Sequence, residues 1–219
     1  MMKIIITVLT IALSLMSMGA MSNEEDKTAL YFKSKEFQKQ LFDMGVYWDR
    51  NTLNIQTNCK SKYHLKPISF SFLKPLEFNS DGVYPTQGVM TVRYTFSRCN
   101  ETITYNALIS AQEGKTPKIS ALVPGTTRAS PQLLRDLYIG GVSGMVAKKR
   151  KNKECKKTSI TNTVVTLEPT TITQGDKEFN GAWEEFWTVK HCDEQIDITF
   201  CLIPDDKGGT SWSGGKCTG

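Results

Sequence analysis

Apolar and polar residues alternate with a period of two along much of this chain. Ile68, Phe70 and Phe72 are separated by Ser69 and Ser71, the pattern of a strand with one buried face. Met90, Val92, Tyr94 and Phe96 alternate with Thr91, Arg93, Thr95 and Ser97. After Cys99-Asn100-Glu101 the alternation resumes at Ile103, Tyr105, Ala107 and Ile109. These two runs predict an antiparallel hairpin. Asn100 suits its tip because Asn accepts the left-handed backbone of tight turns. Leu53–Cys59 and Val164–Leu167 read as further strands. Trp183, Glu185, Trp187, Val189 and His191 share one face of another, and Ile196, Ile198, Phe200 and Leu202 share one face of the next. The tail from Gly208 to Gly219 is rich in Gly and Ser and reads as a loop.

The period becomes helical twice. Phe37, Leu41 and Met44 fall on one helical face, with Ser34 as a capping residue and Gly45 as the expected stop. Ser130-Pro131 opens a second helix, in which Leu133, Leu134, Leu137 and Tyr138 have helical spacing, and which should run to about Lys149. Gly140, Gly141 and Gly144 weaken it. They imply either close packing of that face on a sheet or a break.

The N-terminus follows a third pattern. Lys3 precedes an apolar run from Ile4 to Met18, then Ala20-Met21-Ser22 and the polar Asn23-Glu24-Glu25-Asp26. This order is that of a cleaved secretory leader over residues 1–22, and the apolar run is shorter than the roughly 20 residues that span a bilayer. The expectation is an exported chain of 197 residues, Asn23 to Gly219, its net charge reduced from +5 to +4 with the loss of Lys3. It should not span a membrane once the leader is removed, and it should reside in the periplasm or the medium. All six cysteines lie in this exported part, and an even count there reads as disulfides. None forms a C-x-x-C pair, which counts against a zinc ribbon or a thioredoxin-like redox site.

The two halves resemble each other. Gly88–Ile103 aligns with Gly181–Ile196 at an offset of 93. Identities fall at Gly88/Gly181, Thr95/Thr188, Cys99/Cys192, Glu101/Glu194 and Ile103/Ile196. The expected pairing follows from this repeat: Cys59–Cys99 and Cys155–Cys192 as equivalent bridges, with Cys201–Cys217 as a local staple. The expected fold is α+β, with two β-rich, hairpin-containing, disulfide-stapled halves joined by a central helix. Its segments are the leader (1–22), an N-terminal helical segment (23–45), a first β-rich repeat (46–130), a helix and basic connector (131–157), and a second β-rich repeat with the Gly-rich tail (158–219).

No catalytic constellation emerges. His64 has no surrounding motif, and His191 flanks a cysteine expected to be bridged. Glu184 and Glu185 are strand neighbours and point to opposite faces. Glu101 and Glu194 each follow a hairpin tip, where a turn role is the simpler reading. No cofactor or metal site is expected. Asn100-Glu101-Thr102 matches a glycosylation acceptor, discounted here because the leader is of bacterial type. The sharpest local feature is basic: Lys148, Lys149, Arg150, Lys151, Lys153, Lys156 and Lys157, with Glu154 as the one acid among them. It is either a solvated connector or an anion-binding patch for a phospholipid or lipopolysaccharide surface. Nucleic acid is not an expected partner outside the cytoplasm. Trp183 and Trp187 are by default core residues; an exposed aromatic strip for a ligand is the alternative.

The leading functional expectation is a non-enzymatic binding or interaction protein of the bacterial envelope, partnered by another envelope protein or an anionic envelope surface. The rivals are a hydrolase of envelope polysaccharide or peptidoglycan, using Glu101, Glu185 or Glu194, and an anionic-surface binder using residues 148–157.

Overall fold

The computed structural model describes residues 26–55, 63–98 and 101–217. The leader, Cys59, Cys99 and the hairpin tip at Asn100 lie outside the described residues, and so does the expected Cys59–Cys99 bridge.

Residues 26–33 are helical, and Ser34 interrupts them. Its Oγ accepts the Phe37 N–H at 3.1 Å and starts helix α1 (Lys35–Trp48), which buries Phe37, Leu41 and Gly45. Gly45 is not the stop that was expected. It lies within the helix, where a Cβ would stand 2.9 Å from the Phe96 ring, and so lets α1 lie close on the sheet beneath. The helix widens into a π turn, Asp49–Leu53, and ends at Asn54 in the left-handed region (φ 55). Leu53 to Ile55 are therefore not strand, because the helix overruns them; the rest of that predicted strand, through Cys59, lies outside the described residues.

Strands β1 (His64–Phe78), β2 (Pro85–Arg98), β3 (Glu101–Gln112) and β4 (Lys115–Leu122) form an antiparallel sheet in sequence order. The predicted hairpin is β2–β3, in register from Val89↔Ser110 to Arg98↔Glu101. Strand β4 was not anticipated, since its residues, half-covered or exposed apart from Pro117, do not alternate clearly. Tyr31, Phe37 and Leu41 pack on Met90, Tyr94, Phe96, Tyr105 and Ile109 to make the first core.

The second half repeats the order of helix and then sheet. Ser130 accepts the Leu133 N–H and caps α2 (Pro131–Asp136). A π segment (Leu137–Val142) and α3 (Ser143–Lys149) continue it. Close packing holds for Gly140 and Gly141, where the helix widens without breaking, but not for Gly144, where a Cβ would meet nothing within 4 Å. A Cβ at Gly141 would stand 2.6 Å from Phe200, and one at Gly140 would stand 2.8 Å from Trp212. The helix thus makes its closest approach to the sheet where it widens. Strands β5 (Thr158–Gln174), β6 (Lys177–His191), β7 (Glu194–Pro204) and β8 (Thr210–Gly214) form the second antiparallel sheet, again in sequence order. The expected loop at 208–219 is corrected in part. Thr210–Gly214 pairs with β7, and Trp212 sets its ring edge-on to Phe200 at 5.9 Å. Leu133, Leu137, Val142 and Val146 cover Trp187, Val189, Ile198 and Phe200 in the second core.

Cys155–Cys192 and Cys201–Cys217 are bonded as expected, closing loops of 37 and 16 residues. Two disulfides fit an oxidising compartment. Among the described residues no helix is long and apolar enough to cross a membrane.

Candidate binding cleft at the junction of the halves

The segment between β4 and α2 fastens the sheets to each other. Gly125 N–H donates to Thr104 O on β3, and Thr126 N–H donates to Thr163 O on β5. Thr163 Oγ donates to Pro124 O at 2.7 Å and accepts from Thr127 N. Gly125 has φ +103, and a Cβ there would fall 2.0 Å from Thr163 O, so no other residue fits this crossing without displacement.

The connector then passes over the outer face of the first sheet. Strand register places Ser69, Arg93, Asn106 and Leu122 in one row across all four strands. Arg93 Nε donates to Asn106 Oδ1 at 3.0 Å, and its Nη2 donates to Thr127 O. Asn106 Nδ2 in turn donates to Val123 O and Gly125 O, at 2.8 and 2.9 Å. Behind the connector, the fully buried Glu185 of β6 accepts three hydrogen bonds, each at 2.8 Å. Arg128 N–H and Trp183 Nε1 reach its Oε1, and Trp187 Nε1 reaches its Oε2. Burial lowers the proton affinity of Arg93, Glu185 opposes that effect and Arg128 adds to it. Arg93 stays cationic at any physiological pH.

Between the row and the connector lies an open cleft of about 350 Å³. Ser69, Ser71, Thr91, Arg93, Arg128 and Ser130 supply its polar lining, while Leu73, Leu122 and Leu134 supply an apolar wall. Among the described residues no acidic side chain lines it.

The residues singled out in the sequence fall elsewhere. Trp183 and Trp187 form no exposed strip. They are 7% and 0% exposed, because their indole N–H groups are committed to Glu185 in the core. Glu184 points the other way, as its strand position requires, and accepts the Cys217 N–H at 2.6 Å. His191 is buried between Thr158 Oγ1 and Asn152 O, and His64 is exposed on the edge strand β1. The three acids considered for hydrolysis have separate partners. Glu185 sits in the tryptophan cradle, Glu101 is exposed with Arg98 at 3.9 Å, and Glu194 receives the N–H groups of Lys151 and Asn152 at 2.9 and 2.7 Å. Those two backbone donors hold the Glu194 carboxyl below its usual range. Among the described residues no group of three or more His, Cys, Asp or Glu is placed to hold a metal ion.

The basic run begins in the last turn of α3, where Lys148 and Lys149 complement the helix dipole. It then crosses the surface as a loop held by Glu194, by the Cys155–Cys192 bridge and by Lys149 Nζ on Asp197 O at 2.7 Å. Lys148, Lys149, Lys151, Lys153, Lys156 and Lys157 are exposed, whereas Arg150 is half-buried.

Sequence reasoning missed Arg93, Asn106 and Arg128. Arg93 stands on the polar side of its strand, which alternation assigns to solvent. A buried Asn opposite it in the hairpin register was the one local signal. Comparison with protein-family models, with curated proteins and with solved structures finds no match. The fold and the cleft define this chain as an α+β protein of two helix-covered sheets, with a polar, cationic cleft where they join.

Proposed function

We propose that this chain is an exported, non-enzymatic binding protein of the bacterial envelope and that it binds through the junction cleft. One observation carries the reading: the cleft is built on a buried hydrogen-bond network that ties both sheets and the connector together, so its lining is held in place before a ligand arrives. Such preorganisation lowers the cost of binding. The export leader, with residence in the periplasm or the medium, belongs to the same proposal and is supported by the two disulfides.

An origin of the halves by internal duplication also belongs here. It is supported by matched burial at the offset of 93. Met90/Trp183, Val92/Glu185, Tyr94/Trp187, Phe96/Val189 and Arg98/His191 are all buried pairs. Gly88 and Gly181 both have positive φ.

Hydrogen–deuterium exchange of the oxidised protein tests the binding reading, with and without an ultrafiltrate of envelope small molecules. Protection at 69–73, 91–93 and 127–131 is expected. Unchanged exchange there, or release of a new product from the ultrafiltrate, refutes a non-enzymatic cleft binder. A second reading, attachment to an anionic lipid or lipopolysaccharide surface, is favoured by the pinned loop with its exposed lysines. Salt-sensitive cosedimentation with anionic phospholipid vesicles, lost when the loop lysines are neutralised, would support it.

A further inference from the structure

We propose that the junction cleft is an oxyanion site, taking the carboxylate or phosphate monoester of a small ligand between Arg93 and Arg128. This deepens the binding reading above and rests on it. The volume, about 350 Å³, suits a small molecule and is too little for a folded partner. Arg93 is the anchor. A guanidinium carries five N–H donors in a rigid fork, and here two are used, by Asn106 and by Thr127 O. Three remain, on a side chain whose plane is already set by the two internal bonds. That arrangement matches the two oxygens of a carboxylate or phosphate.

Glu185 stands behind the cleft, but all three of its bonds face inward, to two indoles and a backbone amide, so it orients Arg128 without closing the cleft. The Arg128 side chain is half-exposed and pairs with Glu168 at 2.9 Å, an acid that is itself 74% exposed. An exposed pair of this kind is weak and exchangeable. An incoming oxyanion therefore replaces Glu168 on Arg128 while binding the preset fork of Arg93. Ser69, Ser71, Thr91 and Ser130 then offer hydroxyls to the rest of a polar ligand, and the leucines of the wall receive its apolar part.

The test is a titration of the full oxidised chain, followed by amide NMR, with inorganic phosphate, acetate, glucose 6-phosphate and uncharged glucose. Saturable shifts at Ser69, Ser71, Thr91, Arg128 and Ala129 are expected with the anions. Phosphate against acetate separates the two anion sources. Arg128→Ala should weaken the binding about tenfold, the worth of one charge-assisted hydrogen bond. Glu168→Gln should tighten it severalfold, because the competing acid is gone. Both side chains are on the surface, so neither variant threatens the fold. Equal affinity in all three proteins, or shifts confined to residues 148–157, overturns the oxyanion site. If glucose alone shifts the cleft residues, the oxyanion inference fails and the binding reading stands. If no probe shifts them, the oxyanion inference fails, and the exchange experiment above decides the binding reading separately.

Discussion

Replacing Glu185 by Gln changes one atom's hydrogen-bonding sense inside a fully buried cradle. Three donors converge on this carboxylate: the indole N–H of Trp183, the indole N–H of Trp187 and the Arg128 amide. An amide has one acceptor oxygen. If that oxygen keeps Trp183 and Arg128, the NH₂ faces the Trp187 N–H; if it flips, two donors are opposed instead of one. The first arrangement is the better one, and it still leaves a buried donor without a partner, at a cost of about 1–3 kcal/mol. The two surviving bonds lose their ionic acceptor, which roughly halves them and adds about 1 kcal/mol.

The expected destabilisation is therefore about 2–4 kcal/mol, a sizeable part of the 5–15 kcal/mol typical of a folded domain. Urea unfolding followed by tryptophan fluorescence measures it. With an m-value of about 2 kcal/mol/M the midpoint should fall by roughly 1–2 M. The pairing itself is tested by adding Trp187→Phe, which removes the opposed donor. The double variant should lose clearly less than the sum of the two single changes. A midpoint within about 0.2 M of the parent, or strict additivity, would refute the cradle as an energetic unit.

The remaining expectations concern the connections. Gly125→Ala should cost about 2 kcal/mol or more, because it combines an unfavourable φ with a backbone clash against Thr163; thermal denaturation reads this, and an unchanged midpoint would count against the crossing described here. Opening the Cys155–Cys192 bridge should cost about 4 kcal/mol, against about 3 for Cys201–Cys217, since the loops closed are 37 and 16 residues; the paired Ser variants, compared in urea, check the order. Glu194 is held below its ordinary 4.5, so its contribution is fully present above that value and is lost as the pH falls through the lower folded value. Exchange of the Lys151 and Asn152 amides should accelerate over that window beyond the intrinsic rate, and Glu194→Gln should show weaker protection already at neutral pH.

The strands that bury one face were legible because alternation carries their signal. The β2–β3 hairpin and β7 follow from it directly, and the caps at Ser34 and Ser130 follow from short-range hydrogen bonding. The bridge Cys155–Cys192 was expected from the similarity of the two segments at an offset of 93, and Cys201–Cys217 from the two cysteines that this pairing left over. Strand β4 and the edge strand β8 were not, since their residues are mostly half-covered or exposed and leave no period to read. Alternation set Trp183 and Trp187 on one face, by default the core face, and left Arg93 on the face assigned to solvent. It separates the two faces of a strand but does not say what lies over each. Trp183 and Trp187 are in the core because a helix closes over their face and an acid between them takes both indole protons. Arg93 lines a cleft because a connector 34 residues further along folds back over the polar side of its sheet. The chain's local chemistry thus marked the strands with one buried face and the helix starts at Ser34 and Ser130. Only the long-range return of residues 123–130 decided which polar face became the wall of a cleft, because that contact depends on how two sheets dock and not on any one segment.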